Sequence, residues 1–279
     1  AGIVLLAVMF IIATALPINM GALALVAAFI IGLLSNLAGK DILAGFPSDL
    51  FVTLVGTTYL FAIARNNGTV DWLVQKAVWL VRGRIAVMPW VMFFVAAVLT
   101  AVGAVSPAAV AIIAPIALRF ANKYDISPLL MGLMVIHGAQ SGGFSPISIY
   151  GGITNQIVER AGLPKNNLAL FLASFFFNLF IAVLIFIYLG RHRASRNTSA
   201  DAETQAHTEV DRDELQENHL NLHRALTLVG LIVLAVGSFV FELNVGLVAI
   251  SIAVLLALLA PRAQKKAIDQ VSWSTILLV

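Results

Sequence analysis

A succession of long apolar stretches with few charges inside them constrains this chain more than any other feature. Only 11% of its residues are charged, whereas a soluble domain carries about a quarter. The stretches fall at 2–16, 20–38, 48–64, 86–104, 107–121, 126–140, 147–158, 167–189, 225–241 and 245–260, with another beginning at 271. Many are long enough for transmembrane helices, and their recurrence excludes a signal peptide as the only apolar feature. The pattern predicts an all-α polytopic membrane protein.

Composition excludes several kinds of chemical site. The chain has no cysteine, which excludes disulfides, thiolate metal sites and cysteine nucleophiles. We attribute the net charge of +3 to loops on one side of a membrane and expect no nucleic-acid partner. Because the chain begins without Met and ends within an apolar run, we expect it to be a fragment.

Basic residues predict the orientation, because positively charged loops stay in the cytoplasm. The four basic clusters are Arg65, Lys76, Arg82 and Arg84; Arg119 and Lys123; Arg191, Arg193 and Arg196; and Arg262, Lys265 and Lys266. All four clusters can be cytoplasmic only if residues 86–121 enter the membrane from the cytoplasmic side and return to that side, either as two spans or as a re-entrant hairpin. The expected location is the inner (plasma) membrane, crossed several times.

Two segments depart from the apolar pattern. Residues 191–224 are polar and charged, which is typical of a solvated linker, and the orientation makes this linker cytoplasmic. Residues 70–84 place apolar and basic side chains on different faces of a helix, which suits a helix lying in the membrane interface. The linker separates a first transmembrane repeat, 1–190, from the start of a second, 225–279.

The evidence for two repeats is an ungapped match between 18–40 and 243–265. Eight of the 23 aligned pairs are identical, including an Asn-x-Gly at Asn19 and Asn244. If 126–158 is counted as one broken span, an odd number of crossings separates these two turns, whether 86–121 crosses twice or is re-entrant. The copies then face opposite ways, as in the inverted repeats of secondary transporters. Chance similarity between apolar helices is the alternative explanation.

Two Ser-Pro pairs lie where a membrane helix has no need to begin. Ser106-Pro107 falls within 86–121, and Ser145-Pro146 falls within 126–158. Serine is a preferred N-cap and proline suits the first helical position, so each pair predicts a helix start. The glycines at 138, 142 and 143 would allow an unwound backbone before the second start. Ser127-Pro128 carries the same signal at an ordinary helix boundary.

Such breaks can form an ion site from backbone groups alone. A helix N-terminus offers free N–H donors and a partial positive charge to an anion, and unwound carbonyls with hydroxyls suit Na⁺. Simple proline or glycine kinks are the alternative explanation for both breaks. No Asp, Glu, Lys or Arg lies well inside an apolar stretch, so we expect no metal cluster and no cofactor beyond a possible Na⁺. His137 is either a hydrogen-bonded packing residue or a proton or substrate ligand.

The stretches "TAVGAVSPAAVAIIAPIALRFA" and "ISPLLMGLMVIHGAQSGGFSPISIYG" resemble the amino-terminal domain of MatC-type dicarboxylate (malonate) carriers. These carriers belong to a superfamily of divalent-anion/Na⁺ symporters. The resemblance implies an inverted-repeat fold, elevator-like alternating access and a homodimer in the lipid bilayer. It also implies a hairpin tip at 104–108 and an unwound segment at 140–148. The sodium–dicarboxylate branch has Asn and Thr residues that these two places lack, so both Na⁺ and proton coupling stay open.

The leading hypothesis is a secondary active transporter for a small dicarboxylate, malonate or a C4 acid. The expected substrate contacts are Ser106, Pro107, Gln140, Ser141, Gly142, Gly143, Ser145 and Pro146. The expected coupling-ion residues are Ala104, Ser106, Ser145 and His137. A carrier for another anion and a cation/proton antiporter are the alternatives. We expect no enzyme activity, because the apolar stretches contain neither an H-E-x-x-H motif nor paired aspartates.

Overall fold

The computed structural model describes residues 2–80, 85–164, 166–194, 220–241, 243–271 and 273–277. Within these ranges the regular structure is entirely helical, which confirms the predicted all-α class. The helices are α1 (Gly2–Ala15), α2 (Met20–Leu34), α3 (Gly39–Leu43), α4 (Ser48–Asn66), α5 (Thr69–Leu80), α6 (Met88–Ala101), α7 (Ser106–Lys123), α8 (Pro128–Gly142), α9 (Ile149–Arg160), α10 (Asn167–Ala194), α11 (Leu222–Phe239), α12 (Val245–Leu259), α13 (Pro261–Asp269) and α14 (Trp273–Ile276), with a 3₁₀ turn at Ile85–Val87.

Two of the described helices are long and apolar enough to cross a membrane: Asn167–Gly190 within α10, and α11. Shorter apolar helices occupy Gly2–Ala15, Met20–Leu34, Ile85–Ala101 and Val245–Leu259. Most of the predicted linker lies outside the described residues, whereas its first and last residues belong to α10 and α11. Large apolar side chains are exposed along these helices, for example Phe177 and Phe180 on α10. A bilayer is the solvent that suits such a surface.

Helix α5 has the two-faced character that the sequence predicts for 70–84, although 81–84 lie outside the described residues. Val70, Val74 and Val78 are buried in the main core. On the other face, the Lys76 ammonium lies 5.6 Å from the ring centroid of Trp79, which is exposed. One face of α5 therefore packs on the protein, and an aromatic–basic face points away from it.

The closest packing in the first part of the chain joins α6 and α8. A β-carbon on Gly138 would lie 2.2 Å from the Phe93 carbonyl oxygen, and one on Gly142 would lie 2.1 Å from the Ala97 oxygen. Successive turns of α8 therefore meet successive turns of α6, so the two helices run parallel and their backbones touch. Small residues four positions apart allow this approach.

This contact corrects the sequence-based interpretation of the glycines. Gly138 and Gly142 were expected to permit unwinding, yet both are helical, as are Gln140 and Ser141. Glycine is needed there because any side chain would collide with the α6 backbone. The unwound part begins only at Gly143.

A second glycine contact joins α4 to α12. A β-carbon on Gly56 would lie 2.4 Å from the Gly246 oxygen, and one on Gly246 would lie 2.5 Å from the Thr53 nitrogen. Further along, Ile63 of α4 and Leu256 of α12 line one cavity. The two helices therefore run parallel, and they join the regions on either side of the predicted linker.

We expect Gly142→Ala to destabilise the protein, because overpacking a tight contact costs roughly 1–3 kcal/mol. Gly132→Ala is the matched control on the same helix, since a β-carbon there meets nothing within 4 Å. Removing a glycine from a helix interior is favourable by about 1 kcal/mol, so this control should be neutral or stabilising. Thermal unfolding in detergent measures both variants, and equal midpoints would contradict the contact.

Candidate functional site

The turn at 102–105 joins α6 to α7 and forms the tip of a helical hairpin. Gly103 has φ of +118°, a conformation that costs glycine little and other residues much more. A β-carbon on Gly103 would lie 3.4 Å from the Ile147 oxygen and 3.5 Å from Thr57 Cγ2. The hairpin tip therefore lies beside the break between α8 and α9, and beside the middle of α4.

The break itself comprises residues 143–148 and consists of two successive turns. The Ser145 amide donates to the Gly142 oxygen at 3.0 Å, and the Ser148 amide donates to the Ser145 oxygen at 3.0 Å. A β-carbon on Gly151 would lie 2.0 Å from the Ser145 oxygen. The first turn of α9 is thus folded tightly back against the break.

The three Ser-Pro pairs behave differently, although their sequence signal is the same. Ser127 caps α8 as expected, accepting from the Leu130 amide at 3.4 Å. Helix α7 begins at Ser106 as predicted, but its N-cap is Val105 and no side chain caps it. The predicted helix start at Ser145-Pro146 is wrong, because α9 begins at Ile149 and Ser148 is its cap.

Ser106 and Ser145 instead use their hydroxyl protons to connect separate elements. Ser106 Oγ donates to the Ala139 oxygen of α8 at 3.1 Å. Ser145 Oγ donates to the Ala101 oxygen at the end of α6 at 2.5 Å. Both serines are buried. With the proton committed to a carbonyl, each hydroxyl oxygen retains only acceptor capacity.

Ser148 adds a third hydroxyl to this junction. Its hydroxyl has one proton to donate and two carbonyl acceptors within the break, the Gly143 oxygen and, at 2.8 Å, the Ser145 oxygen. The same oxygen accepts from the Gly151 amide at 3.4 Å. Ser148 thereby ties the break to the start of α9.

The starts of α7 and α9 lie on either side of Gly143. A β-carbon on Gly143 would lie 2.9 Å from Ser106 Oγ and 3.2 Å from Tyr150 Cδ2. In the first turns, the amides of Ser106, Ala108, Ile149 and Tyr150 have no protein acceptor among the described residues. Such unpaired amides give a helix N-terminus its affinity for anions.

The structure divides the predicted site residues into two groups. Ala104, Ser106, Gly143 and Ser145 lie at the junction between the hairpin tip and the break. Pro107 and Pro146 follow the two serines; Pro107 is exposed and Pro146 is half-buried.

The other predicted residues, His137, Gln140, Ser141 and Gly142, lie on α8. The Gln140 and Gly142 carbonyls accept from the Gly143 and Ser145 amides of the break, but the described side-chain contacts of His137 and Ser141 do not reach the junction. Ser141 is buried and donates to the Gly138 oxygen of its own helix at 2.7 Å. Gln140 is exposed, and its carbonyl accepts from Ser174 of α10 at 3.3 Å. His137 Nδ1 lies 3.0 Å from the Asn178 Oδ1 of α10. Gln140 and His137 therefore contact α10.

Sequence reasoning missed two residues at the junction. Ser148 lies only three positions after Ser145, and its position in "SPIS" gives a weak signal. Thr57 is fully buried in α4, donates to the Thr53 oxygen at 2.7 Å and faces Gly103. Adjacent threonines in the apolar "LVGTTYLF" could have indicated it. The described residues contain no group of three or more His, Asp or Glu side chains that could hold a metal ion.

We expect Gly103→Ala to abolish the function of the site, because alanine at φ of +118° is strained and the tip would rearrange. Gly162→Ala is the control, since Gly162 also has positive φ, at +69°, but lies in open space. The left-handed helical region costs alanine only about 1–2 kcal/mol, so this variant should keep its activity. Transport measured at matched protein amounts tests the pair, and full activity of the Gly103 variant would contradict a rigid tip.

Comparison with known proteins yields one family. No curated protein and no solved structure matches the chain. The family model described as "Dicarboxylate carrier protein MatC N-terminus" matches residues 1–143, a stretch that contains α1 to α8, the hairpin tip and the first residue of the break. The chain therefore belongs to the MatC dicarboxylate carrier family, whose N-terminal region makes up its first half.

Proposed function

We propose that the chain forms the first repeat and the start of the second in a secondary active transporter for a small dicarboxylate, malonate or a C4 acid. Its family is one of dicarboxylate carriers, which act in transport rather than in catalysis. The observation that carries the proposal is the meeting of two helix N-termini, α7 and α9, beside Gly143. Neither the tip nor the break contains a lysine or an arginine.

The two helix starts would bind carboxylates through the backbone. Each N-terminus carries roughly half a positive charge together with its unpaired amides. In a low-dielectric surrounding such dipoles act more strongly than they do in water. A site of this kind selects a small anion without a buried arginine, which is consistent with the absence of Asp, Glu, Lys and Arg from the interior of the apolar stretches.

We propose Na⁺ as the coupling ion. The hydroxyl oxygens of Ser106 and Ser145 retain lone pairs, and the Ala104 carbonyl lies at the same tip. Hard oxygen ligands without a proton to donate suit a cation, and a Na⁺ there would offset the substrate charge. Proton coupling needs a titratable group, and the candidate predicted from the sequence, His137, is directed to Asn178.

Helix lengths support a re-entrant hairpin. Helix α6 has 14 residues and is therefore about 21 Å long, short of the roughly 30 Å of a bilayer core. It runs parallel to α8, and both end at the junction. If a hairpin tip and a helix break meet within the membrane, each shields the irregular backbone of the other from lipid. Irregular backbone is tolerated at that depth only when it is shielded in this way.

The position of basic residues supports the proposed orientation in the inner membrane. Arg65 lies in the last turn of α4, and Lys265 and Lys266 lie on α13, which lines one cavity with the end of α4 and the start of α11. This end of the molecule would face the cytoplasm together with the linker. We carry the homodimeric state over from the resemblance to MatC-type carriers.

The substrate and coupling proposals are tested with the full-length protein in proteoliposomes. We expect saturable accumulation of labelled malonate or succinate under an inward Na⁺ gradient, and no accumulation under a proton gradient alone. Accumulation driven by protons would replace Na⁺ in the proposal. Absence of uptake of either acid under both gradients would remove the dicarboxylate assignment.

Ser145→Ala and Ser106→Ala test the Na⁺ ligands. Losing one oxygen contact to an ion corresponds to about a tenfold or greater increase in the half-saturating Na⁺ concentration. Ser127→Ala is the matched control, because Ser127 precedes a proline in the same way but only caps α8. It should cost about 1 kcal/mol of stability and leave Na⁺ dependence unchanged. Equal Na⁺ dependence in all three variants would exclude Ser106 and Ser145 as ligands.

A further inference from the structure

The two Asn-x-Gly motifs that the sequence match singled out are helix caps with the same local role. Asn19 Oδ1 accepts from the Gly21 amide at 2.9 Å, and Asn244 Oδ1 accepts from the Leu247 amide at 3.0 Å. Each capped helix, α2 or α12, is followed by a short helix that packs against it, α3 or α13. The repeat match therefore extends from sequence to local structure.

Each cap also reaches a residue of the other copy, and the two contacts are reciprocal. Asn19 Nδ2 donates to the Ser274 carbonyl at 2.8 Å, while Asn244 Nδ2 donates to the Asp49 carboxylate. Asn244 stands 225 positions after Asn19, and Ser274 stands 225 positions after Asp49. Equivalent residues are thus paired crosswise, as a two-fold relation between the copies requires.

A two-fold relation predicts two equivalent helix pairs, and the structure contains one of them in full. Helix α4, which begins just before Asp49, packs along α12 through Gly56 and Gly246. By the same offset, the counterpart of α4 is the helix that begins at Trp273, and the counterpart of α12 is α2. A two-fold relation then places the Trp273 helix along α2.

We propose that the two repeats are interlocked in this way, so that α2 is the docking face for the helix that begins at Trp273. The proposal rests on the inverted repeat of the proposed function. On α12 the contact face includes Ala249 and Ala253, which are fully buried. Their counterparts Ala24 and Ala28 are exposed small residues, spaced four apart as close helix packing requires. Gly21, the counterpart of Gly246, is already buried.

Four alanine-to-leucine variants of the full-length protein test the docking face. Ala249→Leu is the reference for an occupied face, since a β-carbon on Gly56 would lie 3.3 Å from Ala249 Cβ. Ala24→Leu and Ala28→Leu should lower the unfolding midpoint as this reference does, by roughly 4 °C or more. Ala22→Leu, which points to the other side of α2, should leave the midpoint unchanged. A neutral Ala24→Leu would show that the face meets lipid and would overturn the proposal.

Cysteine pairs provide a second measurement, because residues 1–279 contain no cysteine that would compete with the introduced pairs. The crosswise pairs, Asn19→Cys with Ser274→Cys and Asp49→Cys with Asn244→Cys, should be joined by a short bifunctional thiol reagent. The pairs within one copy, Asn19→Cys with Asp49→Cys and Asn244→Cys with Ser274→Cys, should not be joined. The reverse pattern would overturn the interlocking.

These readouts are independent of transport. If the crosswise pairs react and the Ala24 variant is destabilised, the interlocking stands even where no dicarboxylate is accumulated. If dicarboxylate uptake is measured but the crosswise pairs do not react, the carrier function stands and the interlocking fails.

Discussion

The backbone contact between α6 and α8 is the constraint on which the candidate site depends. Because Gly138 and Gly142 bring the two helices together without intervening side chains, the end of α8 lies beside the end of α6. Only at that separation can Ser145 reach the Ala101 oxygen and Ser106 reach the Ala139 oxygen. Two chain breaks that lie 40 residues apart in sequence thus form one junction.

At this junction the serines satisfy carbonyls that the ends of helices leave unpaired. An unpaired backbone group in an apolar medium is costly, and each hydroxyl removes one such cost while linking two elements. The first amides of α7 and α9, those of Ser106, Ala108, Ile149 and Tyr150, receive no comparable partner among the described residues. The junction therefore presents backbone donors without partners, which an anion site needs.

Sequence reasoning located both breaks and predicted the helical class, because Ser-Pro and apolar length are local signals. It failed where a residue far away in the sequence determines the hydrogen bond or the packing. Ser127 and Ser145 look alike in sequence, but Ser145 has the Ala101 carbonyl within reach and Ser127 does not cross to another element, so only Ser127 caps a helix. Likewise, a glycine in a helix is compatible with either unwinding or close packing. Gly142 allows close packing, because α6 lies against it.

Asp49 connects the candidate site to the part of the chain that follows the predicted linker. Its carboxylate accepts from Gln156 of α9 at 2.5 Å and also from Asn244 at the start of α12. Helix α9 begins at the junction, so one side chain joins α9 to the start of α12. Its counterpart Ser274 offers only a backbone carbonyl to Asn19 and cannot form a carboxylate bridge. A displacement of α9 therefore has to break its bond to Asp49 or carry α4 and α12 along with it.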